Sequence, residues 1–431
     1  MKISTLKTNI FYSFSIFYLL LVVILMNHQS DNFVHLAHTF LIFLLFLLIF
    51  IFLNKNIYYC KTNIFIFFLF FVFIFLNMLV STILFGNVPS SNISGLFNKI
   101  IAMAIFIMLL FFLNISFKFD SNTLLKYSLI FFIAVSIFSG ISAVQEFFTG
   151  TALFGPLFIS EARHPDPRLS GFFYNPNELG FFLIVGVLAI FHFLFHETSK
   201  SKKLIFLLLL IFLLVVLIAS GSKKAIFGFF LGIFFYSFLY LFFIKNPVHL
   251  KRYILKSLVY LTVFCLAVVY LLFFAIGFDE FFLLIGADVG KLGTLTGRTD
   301  IWQSVPVIMQ NAAIYEIIWG HGNDYFVFYT TRSAHSAYIQ LFIDYGAIVV
   351  LCILCFPLFT SILYLFKSRK IKNHNAIATL AILFYIYISA VAESALLNGK
   401  TSSYYFILIL FIMLLPQKSR KENNENIIPI K

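Results

Sequence analysis

Long apolar runs separated by short polar connectors make up most of the chain. They recur at about 10–26, 36–53, 64–85, 97–113, 124–146, 178–195, 204–219, 225–244, 254–275, 337–366, 375–395 and 401–416. Runs mostly of roughly 16–25 residues suit helices crossing a ~30 Å hydrocarbon layer, whereas barrel strands would alternate over about 10 residues. The pattern predicts an all-α polytopic membrane protein with about 12 transmembrane helices. A large outer loop, residues 276–336, separates spans nine and ten, and a shorter outer loop covers 147–177. The whole of 1–431 reads as a single membrane domain, with a cytoplasmic tail at 417–431.

Composition supports this solvent. Hydrophobic residues form 61% of the chain and charged residues 11%, against about 25% charged in soluble domains. No single aqueous core could hold so much apolar surface. The 62 Phe, with frequent Ile, Lys and Asn, read as coding bias from an AT-rich genome and not as a site. Four cysteines give no disulfide framework, and Cys352-x-x-Cys355 lies within an apolar run, where free cysteine packs as a small hydrophobe. The first apolar run has no small-residue cleavage site after it and reads as the first span, not as a signal peptide.

Charge adds orientation. With the N-terminus inside, the 30 Lys and Arg divide into 21 on inside segments and 9 outside, which favours both termini in the cytoplasm. This rule also accounts for most of the net charge of +13. Six of the outside cations fall in polar segments: Arg163, Arg168, Lys223, Lys224, Arg298 and Arg332. A cationic pocket at the outer face suits an anionic ligand, and a pyrophosphate fits best because arginine offers it a planar two-pronged fork. Anchoring at lipid head groups is the plainer alternative for any one of them.

Four motifs carry candidate chemistry. In Arg168-Leu-Ser-Gly-Phe-Phe-Tyr-Asn-Pro-Asn-Glu-Leu-Gly180, Pro176 holds Asn175 extended, Asn177 is a candidate N-cap and Glu178 suits a first helical turn. The turn Ser220-Gly221-Ser222-Lys223-Lys224 at a helix start has an anion-binding composition, or is an interfacial turn with snorkelling lysines. Arg298 and Trp302, four apart, share a face if helical, and Trp302 could stack on a sugar; an amphipathic surface helix is the alternative. Last come His321 between two glycines, then Arg332, His335, Asp344 nine residues further on, and Glu393 near the outer end of span eleven. Ionisable groups within a span are costly and mark function. There is no Walker A run, no metal-ligand spacing, no Gly-x-Ser-x-Gly elbow and no nucleic-acid-binding pattern.

In this order the motifs resemble the O-antigen ligase and polymerase superfamily of bacterial envelope polysaccharide enzymes. The carriers are Arg168 to Gly180, the Ser-Gly-Ser-Lys-Lys turn, Gly297-Arg298-x-x-x-Trp302, Gly320-x-Gly322 and His335-Ser-x-Tyr-Ile-Gln-Leu-x-x-x-x-Gly346. The resemblance covers roughly 125–415 in layout. It implies a metal-independent, cofactor-free glycosyltransferase with a helical membrane fold resembling the C-type glycosyltransferases. The donor would be a glycan on undecaprenyl pyrophosphate, and membrane lipids and a chain-length regulator would be further partners. Arg168 and Arg298 would hold the pyrophosphate, His335 would stand near the acceptor hydroxyl, and Arg332 is a lesser candidate. Arg163, Asn175, Asn177, Lys223, Lys224, Trp302, His321, Asp344 and Glu393 complete the substrate-binding set. The turn continues as Lys223 where the family commonly has Arg, and Ser336 follows His335 where Asn is common.

The chemistry is coherent. Arginines clamping a lipid pyrophosphate stabilise the charge that develops as the anomeric bond breaks, while a histidine takes the acceptor proton. Direct attack inverts the anomeric centre. The expected activity is polymerisation of lipid-linked repeat units; transfer of glycan to lipid A core, as a ligase, is the alternative. A glycolipid transporter or flippase is a third, and would show matching halves, broken helices and charges near the midplane. The expected site is the bacterial inner membrane, with the active face towards the periplasm or outside.

Overall fold

The computed structural model describes residues 121–151, 168–171, 173, 176–243, 298–322, 325–331, 334–371 and 374–391, plus helical positions 73, 76, 77, 80 and 81. Spans one, two, four, nine and twelve of the sequence reading lie outside these residues. All regular structure among the described residues is helical: α1 (Ser121–Thr149), α2 (Pro176–His196), α3 (Lys200–Ala219), α4 (Lys223–Phe243), α5 (Arg298–Gln310), α6 (Ile314–Trp319), α7 (Tyr325–Thr330), α8 (Ala337–Ile371) and α9 (Asn375–Val391). Among the described residues, α2, α3, the Leu129–Thr149 part of α1 and the Ala337–Cys355 part of α8 are long and apolar enough to cross a membrane. Shorter apolar stretches lie at Lys224–Tyr240 and Asn375–Val391.

The described residues fall into two compact units. The α2 unit takes those within Leu125–Thr299 and Ser368–Ser389; the α8 unit takes those before Leu125, within Asp300–Lys367 and from Ala390 onwards.

In the α2 unit, α2 is the central helix. Every residue from Leu179 to Ile190 is buried, because apolar side chains occur all round it and neighbours cover each face. In contrast α3 leaves Leu204, Ile205, Leu208, Ile211 and Val215 exposed, as a lipid-facing helix should. The pair forms a hairpin. At its connector Glu197 accepts from the backbone N–H of Thr198 (3.0 Å) and Ser199 (3.1 Å), which closes the start of α3. Close approach of α2 to α4 depends on Gly180: a Cβ there would lie 2.6 Å from Ala225 Cβ and 3.0 Å from Ser222 Cβ. Deeper in, His192 shares hydrogen bonds with Tyr236 of α4 (3.0 Å) and Asn375 of α9 (2.9 Å). Such polar ties join helices where apolar side chains gain little by leaving lipid.

In the α8 unit, the interval expected as an outer loop is largely helical from Arg298 onwards. Helices α5 and α7 pack on the start of α8 through Ile308, Phe326, Ala334 and Ile343, flanked by Ile301, Val305, Met309, Tyr325, Ile339 and Phe342. The expected span 337–366 is also interrupted. Gly346 has φ 79 and ψ 178, so α8 is two helical pieces joined at one glycine.

Candidate functional site

Arg163, Asn175, Arg332 and Glu393 lie outside the described residues, and Lys223 and Arg298 are described in their backbone alone. The other candidates fall in two clusters, one in each unit.

The α2-unit cluster gathers at the starts of α2 and α4. Helix α2 begins at Pro176, a residue pre-set for a first helical turn. Asn177, expected as the N-cap, instead lies inside that turn. Its Oδ1 accepts from Ser222 Oγ at 3.0 Å, tying the start of α2 to the Ser-Gly-Ser turn. Ser222 Oγ also accepts from Ala225 N at 3.4 Å, so it caps α4 in the role expected of a helix-start serine. Gly221 (φ 59) makes the turn, and its carbonyl accepts from the Arg168 guanidinium at 3.4 Å. Two helix N-termini, one arginine and the half-buried Lys224 are thereby brought to one end of this unit. Both helix dipoles and both cations favour an anion there.

Glu146, unassigned by the sequence motifs, organises the segment that carries Arg168. From near the end of α1 it accepts from Ser170 N (3.0 Å) and Gly171 N (2.5 Å). Gly171 has φ 61 and runs against α1, where a Cβ would meet Ser139 O at 3.1 Å. The signal was present in the R-x-x-G spacing, but no local rule pairs it with a carboxylate 24 residues earlier.

The α8-unit cluster centres on the break in α8. Interrupting a helix strips carbonyls of their partners, a cost that is tolerable at membrane depth only when other protein groups replace them. Here His321 N donates to Ile343 O (3.0 Å) and Gly322 N donates to Asp344 O (2.8 Å). Ser81 Oγ adds a second bond to Asp344 O at 2.9 Å. The Gly-His-Gly segment thus runs beside the break and supplies N–H partners to two of its carbonyls. At Gly320 (φ 84) and Gly346 (φ 79) the two segments cross backbone to backbone, and a Cβ on either glycine would strike the main chain of the other segment.

The side chain of Asp344 is buried and occupied. One oxygen accepts from Phe326 N at 3.0 Å, capping α7, and the other from the Gln340 amide at 3.0 Å. Gln340 in turn accepts from Ala334 N at 3.3 Å, and Trp302 Nε1 donates to Ala334 O at 2.8 Å. Asp344, Gln340, Ala334 and Trp302 form one linked set, in which Trp302 and Asp344 position their neighbours. The set holds the residue before His335 from both sides. His335 itself is half-buried in the left-handed conformation, φ 50. That conformation is uncommon for a residue with a side chain.

His321 is buried against Tyr325, with ring centroids 4.4 Å apart and planes at 15°. Its Nδ1 lies 3.7 Å from Glu316 Oε1. Burial lowers its pKa from the ordinary 6.5, and the Glu316 carboxylate opposes that shift. The other Glu316 oxygen accepts from Ala313 N at 2.6 Å, half of a capping box that an Ala at the cap position conceals in the sequence.

Among curated proteins, none matches the chain. The O-Antigen ligase family model does match, over residues 206–354. The matched stretch runs from within α3, through the Ser-Gly-Ser turn and the α5–α7 helices, to just past the Gly346 break. It takes in the turn that Arg168 contacts and all of the described α8-unit cluster except Ser81, and the match supports the resemblance to the O-antigen ligase/polymerase superfamily over that stretch.

Proposed function

We propose that this protein is an inverting, metal-independent membrane glycosyltransferase that polymerises glycan repeat units carried on undecaprenyl pyrophosphate. The observation that carries the reading is the family match over the turn and the α5–α8 region. Members of that family act on lipid-linked glycans. In this reading Arg168 and Arg298 hold the pyrophosphate, with Lys223 and Lys224 adding positive charge beside the α4 N-terminus. The hydrogen-bonded start of α2 and α4 supports the first assignment, since it leaves two helix dipoles directed at one end of the unit. His335 takes the proton of the acceptor hydroxyl. The oxygen attacks the anomeric carbon, the bond to pyrophosphate breaks, and the lipid pyrophosphate departs with the electron pair. Catalysis comes mainly from holding two lipid-borne substrates in register.

The ligase reading, transfer to lipid A core, is favoured by one observation: the matching family is described as O-Antigen ligase. The break in α8 is a feature shared with transporters. Its carbonyls at Ile343 and Asp344 accept protein N–H groups, however, which argues against their use as an ion site.

Complementation separates these readings. Polysaccharide-deficient strains receive wild type, Arg298→Ala or His335→Asn at equal expression, and envelope glycan is resolved on a gel. A ladder restored by wild type and reduced to one repeat by each variant is the expected result. Glycan that polymerises normally but stays on its lipid carrier in the deficient strain identifies a ligase. Variants that behave as wild type would remove the catalytic assignment and favour transport.

A further inference from the structure

Three buried side-chain polar atoms of the α8 unit, Asn77 Oδ1, Ser361 Oγ and His321 Nε2, have no hydrogen-bond partner among the described residues, and the last lies beside the α8 break. His321 Nε2 is screened from solvent. The residue is 7% exposed, so bulk water does not supply one. The ring is nonetheless well fixed. It stacks on Tyr325, its Nδ1 faces Glu316, and its backbone N–H is bonded to Ile343 O at 3.0 Å beside the α8 break. Glu316 is itself held by Ala313 N. A buried nitrogen left without a partner is costly, and a natural fold keeps one where something else completes it.

The chemistry of the missing partner follows from the tautomer. A carboxylate beside Nδ1 draws the ring proton to that nitrogen and leaves Nε2 with a bare lone pair. Nε2 is then an acceptor, so its partner is a donor. Phosphate or pyrophosphate oxygens do not meet that requirement, and a carbohydrate hydroxyl does. The titratable groups against the ring are Glu316 on α6 and Tyr325 on α7. Tyr329 stacks on Tyr325, and Asp344 on α8 has its carboxylate bonded to Phe326 N and Gln340.

We propose that Glu316 and His321 form a hydroxyl-binding site, in which His321 Nε2 accepts a hydrogen bond from a sugar hydroxyl of the lipid-linked substrate. This rests on the glycosyltransferase reading and adds a sugar subsite to it, distinct in chemistry from the cationic pyrophosphate residues. Glu316 is a positioning residue and His321 a substrate-binding one.

The test uses the full chain in nanodiscs, with lipid-linked oligosaccharide extracted from host membranes as the probe. His321→Phe keeps the ring and its stacking but removes Nε2. The expected result is a KM raised roughly tenfold, the scale of one lost hydrogen bond to a buried group, with kcat changing far less and the melting point retained. Glu316→Gln keeps an acceptor for Ala313 N but removes the charge that raises the His321 pKa. Loss of binding on acidification should therefore begin at lower pH than in wild type. Histidine 15N NMR reads the site without turnover. The resonance lost in His321→Phe should report an Nδ1–H tautomer, and its Nε2 shift should move on addition of the extract but not of inorganic pyrophosphate. If the extract moves Nε2 while wild type forms no product, the glycosyltransferase reading fails and the hydroxyl site stands. If Nε2 ignores the extract and His321→Phe keeps the wild-type KM, the nitrogen holds only water and the proposal is overturned.

Discussion

Gly320 and Gly346 pair φ near +80° with ψ near 180°, a combination open to glycine and strained for any other residue. Each also lies against the main chain of the other's segment, so a methyl group has no flexible neighbour to displace. Gly320→Ala or Gly346→Ala should cost about 3 kcal/mol or more. Thermal unfolding in detergent measures this, and an unchanged melting point in either variant would contradict the backbone crossing. His335 presents a related choice. Its φ of 50 is one that Asn tolerates well and Ala poorly, so His335→Asn removes the imidazole with least damage to the chain. Its product formation should fall by about 10²–10⁴-fold, the range for losing a general base, with folding intact. At His321 the lowered pKa means that the native state binds fewer protons than the unfolded chain just below pH 6.5. The stability it contributes is complete above the ordinary value and lost as the pH falls below it. Melting points compared on either side of pH 6.5 should differ in wild type, and the difference should shrink in His321→Phe.

Between elements, the informative contacts are those that fasten short segments to long helices. Asp344 of α8 holds the start of α7 and, through Gln340, the residue before His335. Asp344→Ala would leave the Phe326 N–H and the Gln340 amide without their partner, at about 1–3 kcal/mol for each group. A thermal shift smaller than that of an exposed substitution such as Gln303→Ala would count against the cap. Glu146 holds Ser170 and Gly171 to α1, and so sets where Arg168 emerges. Glu146→Ala should lower glycan formation by about tenfold, and Glu146→Gln, which keeps one acceptor, by less. The glycan ladder of the complemented strains reads both. The helices themselves were legible in the sequence. Spans expected at 124–146, 178–195, 204–219 and 225–244 were found at Ser121–Thr149, Pro176–His196, Lys200–Ala219 and Lys223–Phe243. Hydrophobic run length is a local property, and a helix follows from it. The helical character of α6 and α7 was missed because each is six residues long and owes its shape to a cap or a packing face supplied from elsewhere.

For the whole molecule, the charge distribution predicts that the α2–α3 connector is cytoplasmic and the α3–α4 turn faces out. The single substitutions Ser201→Cys and Lys224→Cys, each in a chain freed of its own cysteines, test this with an impermeant thiol reagent on intact cells. The thiol introduced at position 224 should react from outside. The thiol introduced at position 201 should react only after permeabilisation. The opposite pattern would invert the topology and move the candidate site to the cytoplasm.

What the sequence determined by itself is the solvent and the helices. With 61% hydrophobic and 11% charged residues the chain has one possible surrounding, and in lipid each backbone must satisfy its own hydrogen bonds. It also marked the polar islands, because charge is too costly in hydrocarbon to be placed there without purpose. Only the tertiary structure decided how those islands are wired. The α8 break leaves no mark in hydropathy, since apolar residues flank Gly346 and one glycine is common within a membrane helix. The partners of the break, His321 and Gly322, lie more than twenty residues before it. Asp344 looked like a ligand group until its oxygens were found on Phe326 and Gln340, while His321 and Glu316 carried no spacing signal for a pair. Periodicity reports what one segment does in its solvent; hydrogen-bond partners depend on which segments meet, and that follows from packing.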